Sequence, residues 1–312
     1  MGVRRWPLGA AIAAVATVLW VSVTGRVGIA GSHPAYRIVT VAVALGAVAM
    51  AIWAVRAGPP DQTSTPRIWA SRAMLVALTV ATVGVLVYLR PLAADQVAID
   101  ALADGGGLAI DESSTRIRMD PGDASSRTGL VFYPGALVDP RAYARILRPV
   151  AEAGHPVTIV KHPLNLAILD VRAADSVVGD PDDDVDHWVV GGHSLGGAMA
   201  ARYAERERDE LVGLLLWAAY PAGDLSGREA LAVRSVFGTD DAIASPDDIE
   251  DSRDDLPPDA ELVAVDGAIH SFFGDYGLQR GDGTPGIDRD AAQEQIVAST
   301  LDLLEAVSPP PG

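Results

Sequence analysis

Apolar positions follow two regimes along the 312-residue chain. Up to Leu89 they form unbroken runs, 7–23, 38–55 and 73–89; beyond Gly107 they form short blocks separated by glycine, proline and acidic residues. Each early run has seventeen or eighteen residues, near the lower limit for crossing a hydrocarbon core of ~30 Å. None contains a charge, and Trp6, Trp20, Trp53, Trp69 and Tyr88 stand near the ends, where amphipathic rings favour the membrane interface. A buried helix of a water-soluble domain normally keeps a polar face, and these runs have none. The pattern predicts three transmembrane helices within residues 1–90.

Residues 91–107 read as a linker ending in Gly105-Gly106-Gly107, and 108–308 as one α/β domain. Two short strands are expected at 108–111 and 116–119. Gly129–Tyr133 (GLVFY) is an apolar block suited to a strand buried on both faces. Asp139-Pro140 reads as an N-cap with proline in the first turn. Tyr143, Ile146, Leu147 and Val150 keep helical spacing, with a kink or early end expected at Pro149. Further strands are expected at 156–160, 187–191, 211–218, 232–237 and 261–266, and helices at 164–177, 195–208 and 289–307. Repeated β-then-α units imply a mostly parallel sheet with helices on both faces. The acidic stretches 179–186 and 245–259 read as solvated loops or short surface helices, and 309–312 as a proline-rich tail.

Charge divides the chain at the same place. Before residue 91 there are 8 basic and 1 acidic residues, net +7; the remainder has 16 and 40, net −24. Arg4 and Arg5 precede the first run, and Arg56, Arg67 and Arg72 crowd the loop between the second and third. Arg26 and Arg37 lie in the loop before it. This bias places the N-terminus inside and everything after Leu89 outside the cell membrane. Arg4-Arg5 before an apolar run also suits a secretion signal, but two further runs follow without a clear cleavage site, favouring a retained anchor. The acidic domain would repel phosphates, which argues against a nucleic-acid partner. No cysteine is present, which excludes disulfides and thiolate chemistry. Lys161 is the single lysine. Strong acidity with almost no lysine resembles proteins of extreme halophiles, whose self-repulsion is screened by salt; a GC-rich genome is the plainer alternative.

VVGGHSLGGAMAARYA, residues 189–204, carries the candidate chemistry. A strand enters it, a helix leaves it, and Gly192 and Gly196 flank Ser194 where the backbone must turn sharply. That context gives Ser194 the setting of a nucleophile elbow, with the Leu195 amide at the helix N-terminus ready to hold an oxyanion. Such a serine needs a histidine base and a carboxylate, in the chain order Ser, acid, His. Of six histidines only His270 follows the serine. For the acid, Asp241 in VFGTDDAIAS has the expected G-x-x-D spacing; neighbouring Asp240 is the alternative, and Asp266 lies too near His270. FYPGALVDP follows the first apolar strand, where Ala136 is the candidate second oxyanion amide and Pro134-Gly135 also suits a plain type II turn.

In FYPGALVDPRAY, GGHSLGGAMAARYA, FGTDDA and HSFFGDYG, from about Gly129 to Leu304, the chain resembles the α/β-hydrolase superfamily, in particular a compact prokaryotic branch. The resemblance implies Ser194 as nucleophile, Asp241 as acid, His270 as base, and the Leu195 and Ala136 amides as oxyanion donors. Ala242 departs from the glycine usual after the acid. Only about a dozen residues separate the strands ending near Ala219 and starting near Ala232, where such enzymes often insert a lid, so an open site is expected. GDYGLQRGDG could form a pocket wall or a structural loop.

The expectation is a membrane-anchored serine hydrolase, a carboxylesterase acting on a small ester or acyl substrate and needing no metal or organic cofactor. A transacylase delivering the acyl group to a lipid or glycan is one alternative. A catalytically silent membrane-tethered binding module is the other.

Overall fold

A computed structural model describes residues 5–56, 65–122, 126–179, 185–206 and 208–309. Arg4, most of the first acidic stretch (180–184) and the end of the tail (310–312) lie outside the described residues. The chain divides into two compact units, Met1–Ala30 with Pro34–Pro91, and Gly31–His33 with Leu92–Gly312.

The first unit is helical: α1 (Arg5–Thr24), short α2 (Arg26–Gly31), α3 (Ala35–Arg56) and α4 (Thr65–Tyr88). The spans Trp6–Thr24, Ala35–Arg56 and Trp69–Tyr88 are each long and apolar enough to cross a membrane, since 19–22 residues rise ~28–33 Å. Helix α1 packs against both α3 and α4. Ala11, Val21, Ala47 and Ala54 are buried in this unit, while Ile12, Ile38, Leu45 and Leu78 are exposed. That outward apolar surface suits lipid. Thr17, Thr40, Thr79 and Thr82 each donate their hydroxyl to the carbonyl four residues back, which satisfies the polar group within its own helix.

The second unit is built on an eight-stranded sheet in the order β1-β2-β4-β3-β5-β6-β7-β8. The strands are β1 (Leu108–Glu112), β2 (Arg116–Pro121), β3 (Thr128–Tyr133), β4 (Val157–Val160), β5 (His187–His193), β6 (Leu211–Trp217), β7 (Ala232–Gly238) and β8 (Glu261–Val265). β2 runs antiparallel to β1 and β4, and the other pairs are parallel. Alternation sends one set of side chains to each face. Leu130, Phe132, Val189, Leu215 and Trp217 pack with α5 (Gln96–Asp100), α6 (Ala144–Glu152) and α9 (Arg289–Val307). Val131, Tyr133, Val190, Leu214 and Leu216 pack with α7 (Leu195–Ala204) and the segment 167–178. The central strands β3, β4, β5 and β6 are buried along almost their whole length because both faces are covered. The chain leaves β3 for β4 on one side and returns to β5 on the other, so the crevice at their carboxyl ends is the switch point of the sheet.

Four local expectations change. The stretch 164–177 is not a helix but three 3₁₀ turns, Pro163–Asn165, Ala167–Leu169 and Ala173–Ser176. Leu164 (φ 55°) and Asn165 (φ 53°) are left-handed, which no α-helix of L-residues tolerates. Pro149 does not end α6, which continues to Glu152; it lies on the exposed face, where water can take the carbonyl its missing N–H would have bonded. The stretch 91–107 holds α5, with Ala94 and Ala98 buried and Leu92 bridged to Val138. Helix α7 closes at Ala204, four residues before the expected end, whereas α9 spans its expected range. The second acidic stretch forms α8 (Pro246–Asp251), closed by a capping box between Ser245 and Asp248.

Candidate active site

Ser194 stands between β5 and α7 with φ 54° and ψ −127°, a conformation that costs a non-glycine residue ~1–3 kcal/mol. The neighbours hold it there. Its amide donates to Trp217 O at 2.9 Å, and its carbonyl accepts the first helical bond, from Ala198 N at 3.1 Å. A Cβ on Gly192 would lie 2.6 Å from the Gly196 carbonyl carbon and from Tyr133 O; one on Gly196 would lie 2.1 Å from Tyr133 O. Both glycines are therefore required by backbone crowding. Gly197, not singled out from sequence, is equally constrained, with a Cβ 2.6 Å from that of Ala219; the doubled glycine was its only signal.

Asp241 and His270 come together after β7 and β8. Gly238 lets the two strand ends approach, since a Cβ there would lie 2.2 Å from Ala268 O. Asp241 Oδ1 accepts the amides of Ile243 (2.7 Å) and Ala244 (2.8 Å), which leaves Oδ2 to accept His270 Nδ1–H at 2.8 Å. Both side chains are fully buried. With Nδ1 donating, Nε2 presents a lone pair; it is buried and has no hydrogen-bond partner, Ser194 Oγ included. Asp282, unmarked in the sequence, accepts the amides of His270 (2.9 Å) and Ser271 (2.8 Å) and fixes the start of that turn. Asp240 is exposed and faces away toward Gly286. Ala242 needs no left-handed backbone, so the missing glycine leaves the turn intact.

In the loop after β3 the left-handed residue is Leu137 (φ 61°), not Gly135, so the turn lies two residues beyond the alternative Pro134-Gly135 turn. Val138 N–H closes it on Gly135 O at 3.2 Å. Gly135 N–H donates to Tyr143 Oη at 2.9 Å and Leu137 N–H to Asn165 O at 2.8 Å. Between them Ala136 N–H makes no hydrogen bond within the described residues, nor does Leu195 N–H at the start of α7. Tyr143 Oη also lies 2.8 Å from His193 Nδ1. Burial raises the Tyr143 phenol well above its usual pKa. Burial first, then the nearby His270, holds His193 well below the usual imidazole range. Beside Ser194 is a cavity of about 310 Å³ walled by Leu195, Met199, Ala218, Tyr220 and Ile243, with no charged residue.

The GDYG segment is a structural loop. Asp275 is fully buried, ties its backbone to Asp95 and Ala142, and takes Arg145 on both carboxylate oxygens at 2.9 and 3.1 Å. Tyr276 packs behind it, near His193.

Residues 129–294, more than half of the chain, match the family model described as alpha/beta hydrolase family. The chain belongs to that family. Solved structures similar to this α/β-hydrolase include a dienelactone hydrolase-like promiscuous phosphotriesterase from metagenomic libraries, at 17% identity and TM-score 0.48, covering 62% of this chain and 92% of that one. Another is a predicted CIB-like hydrolase from Thermoplasma acidophilum, at 16% and 0.47, covering 64% and 100%. A third is a thermophilic esterase from Thermogutta terrifontis, at 18% and 0.42, covering 66% and 95%. No curated protein matches the sequence.

Proposed function

We propose that this α/β-hydrolase is a membrane-anchored serine esterase with Ser194 as nucleophile, His270 as base and Asp241 as its orienting acid. The observation that carries the reading is the buried Asp241–His270 pair, whose bond through Nδ1 leaves the Nε2 lone pair without a partner. Ser194 Oγ attacks the ester carbonyl as Nε2 takes its proton, and the tetrahedral oxyanion is held by the Leu195 and Ala136 amides. His270 then returns the proton to the departing alcohol. Water, activated by the same nitrogen, releases the acyl group.

The uncharged cavity beside Ser194 suits a small neutral acyl group. Its volume, about 310 Å³, is at the lower end for small-molecule sites. The three apolar helices would retain the enzyme in the cell membrane, and the arginine bias puts the catalytic domain on the extracytoplasmic side.

Fluorophosphonate labelling of the detergent-solubilised chain, beside Ser194→Ala and His270→Ala, tests the reading. Labelling and p-nitrophenyl ester hydrolysis by the wild type alone supports it. A folded wild type that neither labels nor hydrolyses esters overturns it in favour of a silent binding module. Product that forms only when an alcohol acceptor is supplied identifies a transacylase.

A further inference from the structure

We propose that Tyr143 and His193 form a positioning pair that ties the Ala136 loop to the serine turn and so fixes the spacing of the two oxyanion amides. The inference rests on the oxyanion role given above to Ala136 and Leu195. It assigns work to two buried side chains that take no part in the proton transfers.

His193 directly precedes Ser194, whereas Gly135 directly precedes Ala136. One phenolic oxygen joins them. Tyr143 Oη accepts Gly135 N–H at 2.9 Å and meets His193 Nδ1 at 2.8 Å, and all three residues are buried. The approach is close enough that a Cβ on Gly135 would lie 2.7 Å from His193 Nδ1 and 3.0 Å from Tyr143 Oη. Glycine is therefore needed at 135 to let the loop reach the pair, not to supply a left-handed turn.

The donor count sets the proton positions. An amide can only donate, so Tyr143 Oη accepts from Gly135 and has its own hydrogen free for His193 Nδ1. Either arrangement leaves one buried hydrogen without a full partner, the hydroxyl hydrogen or the Nε2–H, and only the second has a backbone acceptor near it, at His270. Nδ1 is thus the acceptor, and the ring proton sits on Nε2. His193 Nε2 makes no hydrogen bond of normal geometry, yet the His270 backbone favours a proton on the ring. A neutral His193 also matters to His270, whose ring centroid is 4.5 Å away. A second charge there would oppose the imidazolium that forms during catalysis.

The loop is pinned on both sides of Ala136, by Tyr143 at Gly135 and by the Asn165 carbonyl at Leu137. Only the amide between them is left to face the reacting carbonyl. The left-handed backbone at Leu164 and Asn165 thereby acquires a purpose, since it aims that carbonyl at the loop.

Tyr143→Phe in the full chain removes the shared oxygen and keeps the ring. Hydrogen exchange of the Gly135 amide reads the loop directly, without reference to activity, and is expected to be slow in the wild type and much faster in the variant. With p-nitrophenyl acetate, kcat is expected to fall about 10- to 100-fold while KM changes little, the pattern of a misplaced oxyanion donor. His193→Asn keeps an acceptor where Nδ1 stood and retains most of the activity, whereas His193→Ala does not; this pair keeps the test decisive if Tyr143→Phe folds poorly. Unchanged Gly135 exchange in Tyr143→Phe overturns the proposal, as does a released amide with wild-type kcat. A wild type without esterase activity removes the catalytic reading instead, and the exchange result then judges the tether alone.

Discussion

Gly196→Ala perturbs the serine turn by a single methyl group. Its Cβ would sit 2.1 Å from Tyr133 O and 2.4 Å from Pro134 O. Ordinary contact begins at 3.4 Å, so α7 or the end of β3 must give by about 1.3 Å, because both clashing atoms are backbone with no rotamer to relieve them. Overpacking of this kind costs about 1–3 kcal/mol of stability. The catalytic effect should be larger. Pro134 lies two residues before Ala136 and Gly196 lies two after Ser194, so the displacement opens the gap between the two amides proposed to hold the oxyanion. Losing one such donor lowers kcat about 10²–10³-fold. The assay is kcat and KM on p-nitrophenyl esters beside a thermal melt of the same preparation. A variant that melts cooperatively with kcat within tenfold of wild type, less than about 1.4 kcal/mol of barrier, would refute the crowding argument.

Asp241→Asn should fold normally, because the Ile243 and Ala244 amides can still bond the retained oxygen; its NH₂ would then face Nδ1, move the ring proton to Nε2 and lower kcat by about four orders of magnitude. Wild-type kcat there would exclude Asp241 as the orienting acid. His162 is buried and neutral, with burial lowering its pKa to about 3. The unfolded chain, titrating near 6.5, binds the extra proton first, so stability falls as pH drops from about 6.5 toward about 3, by up to ~5 kcal/mol. His162→Leu should flatten the pH dependence of urea unfolding in that window; an unchanged slope would mean the ring is not held neutral. If the acidic surface is a halophilic adaptation, Tm of the hydrolase unit should rise between about 0.1 and 1 M KCl, as the screening length shrinks from ~10 to ~3 Å. A flat response points to ordinary acidity.

Strands were the most legible elements, since GLVFY, WVV and LVGLLLW are apolar without interruption and only a doubly covered sheet strand buries nearly every position of so short a run. The candidate residues Ser194, Asp241 and His270 could be singled out because each follows a recognisable strand and one histidine follows the serine. The error at 164–177 has a non-local cause. LNLAILDVRAADSVV carries helical spacing, but the left-handed pair there serves a hydrogen bond to Leu137, about thirty residues earlier, which no local window contains. Tyr143 and His193 were invisible for the same reason, as partners fifty residues apart. From sequence, Tyr143 is one of the apolar positions of its helix and His193 is only the neighbour of Ser194. Asp275 read equally well as pocket wall or scaffold, and only its full burial against Arg145 decides between them.

The site draws on loops after β3, β5, β7 and β8, and these emerge in that order during synthesis. Ser194 and both oxyanion amides are therefore made before Asp241 and well before His270. Until β7 and β8 have paired and Gly238 has met Ala268, the serine turn has no proton acceptor. If the apolar helices enter a bilayer as proposed, the nascent chain would meet its ester bonds with a nucleophile that is not yet armed. On the proposed catalytic reading, reactivity would arise only when the far edge of the sheet closes, and strand order would then act as a timer that delays ester cleavage until synthesis is complete.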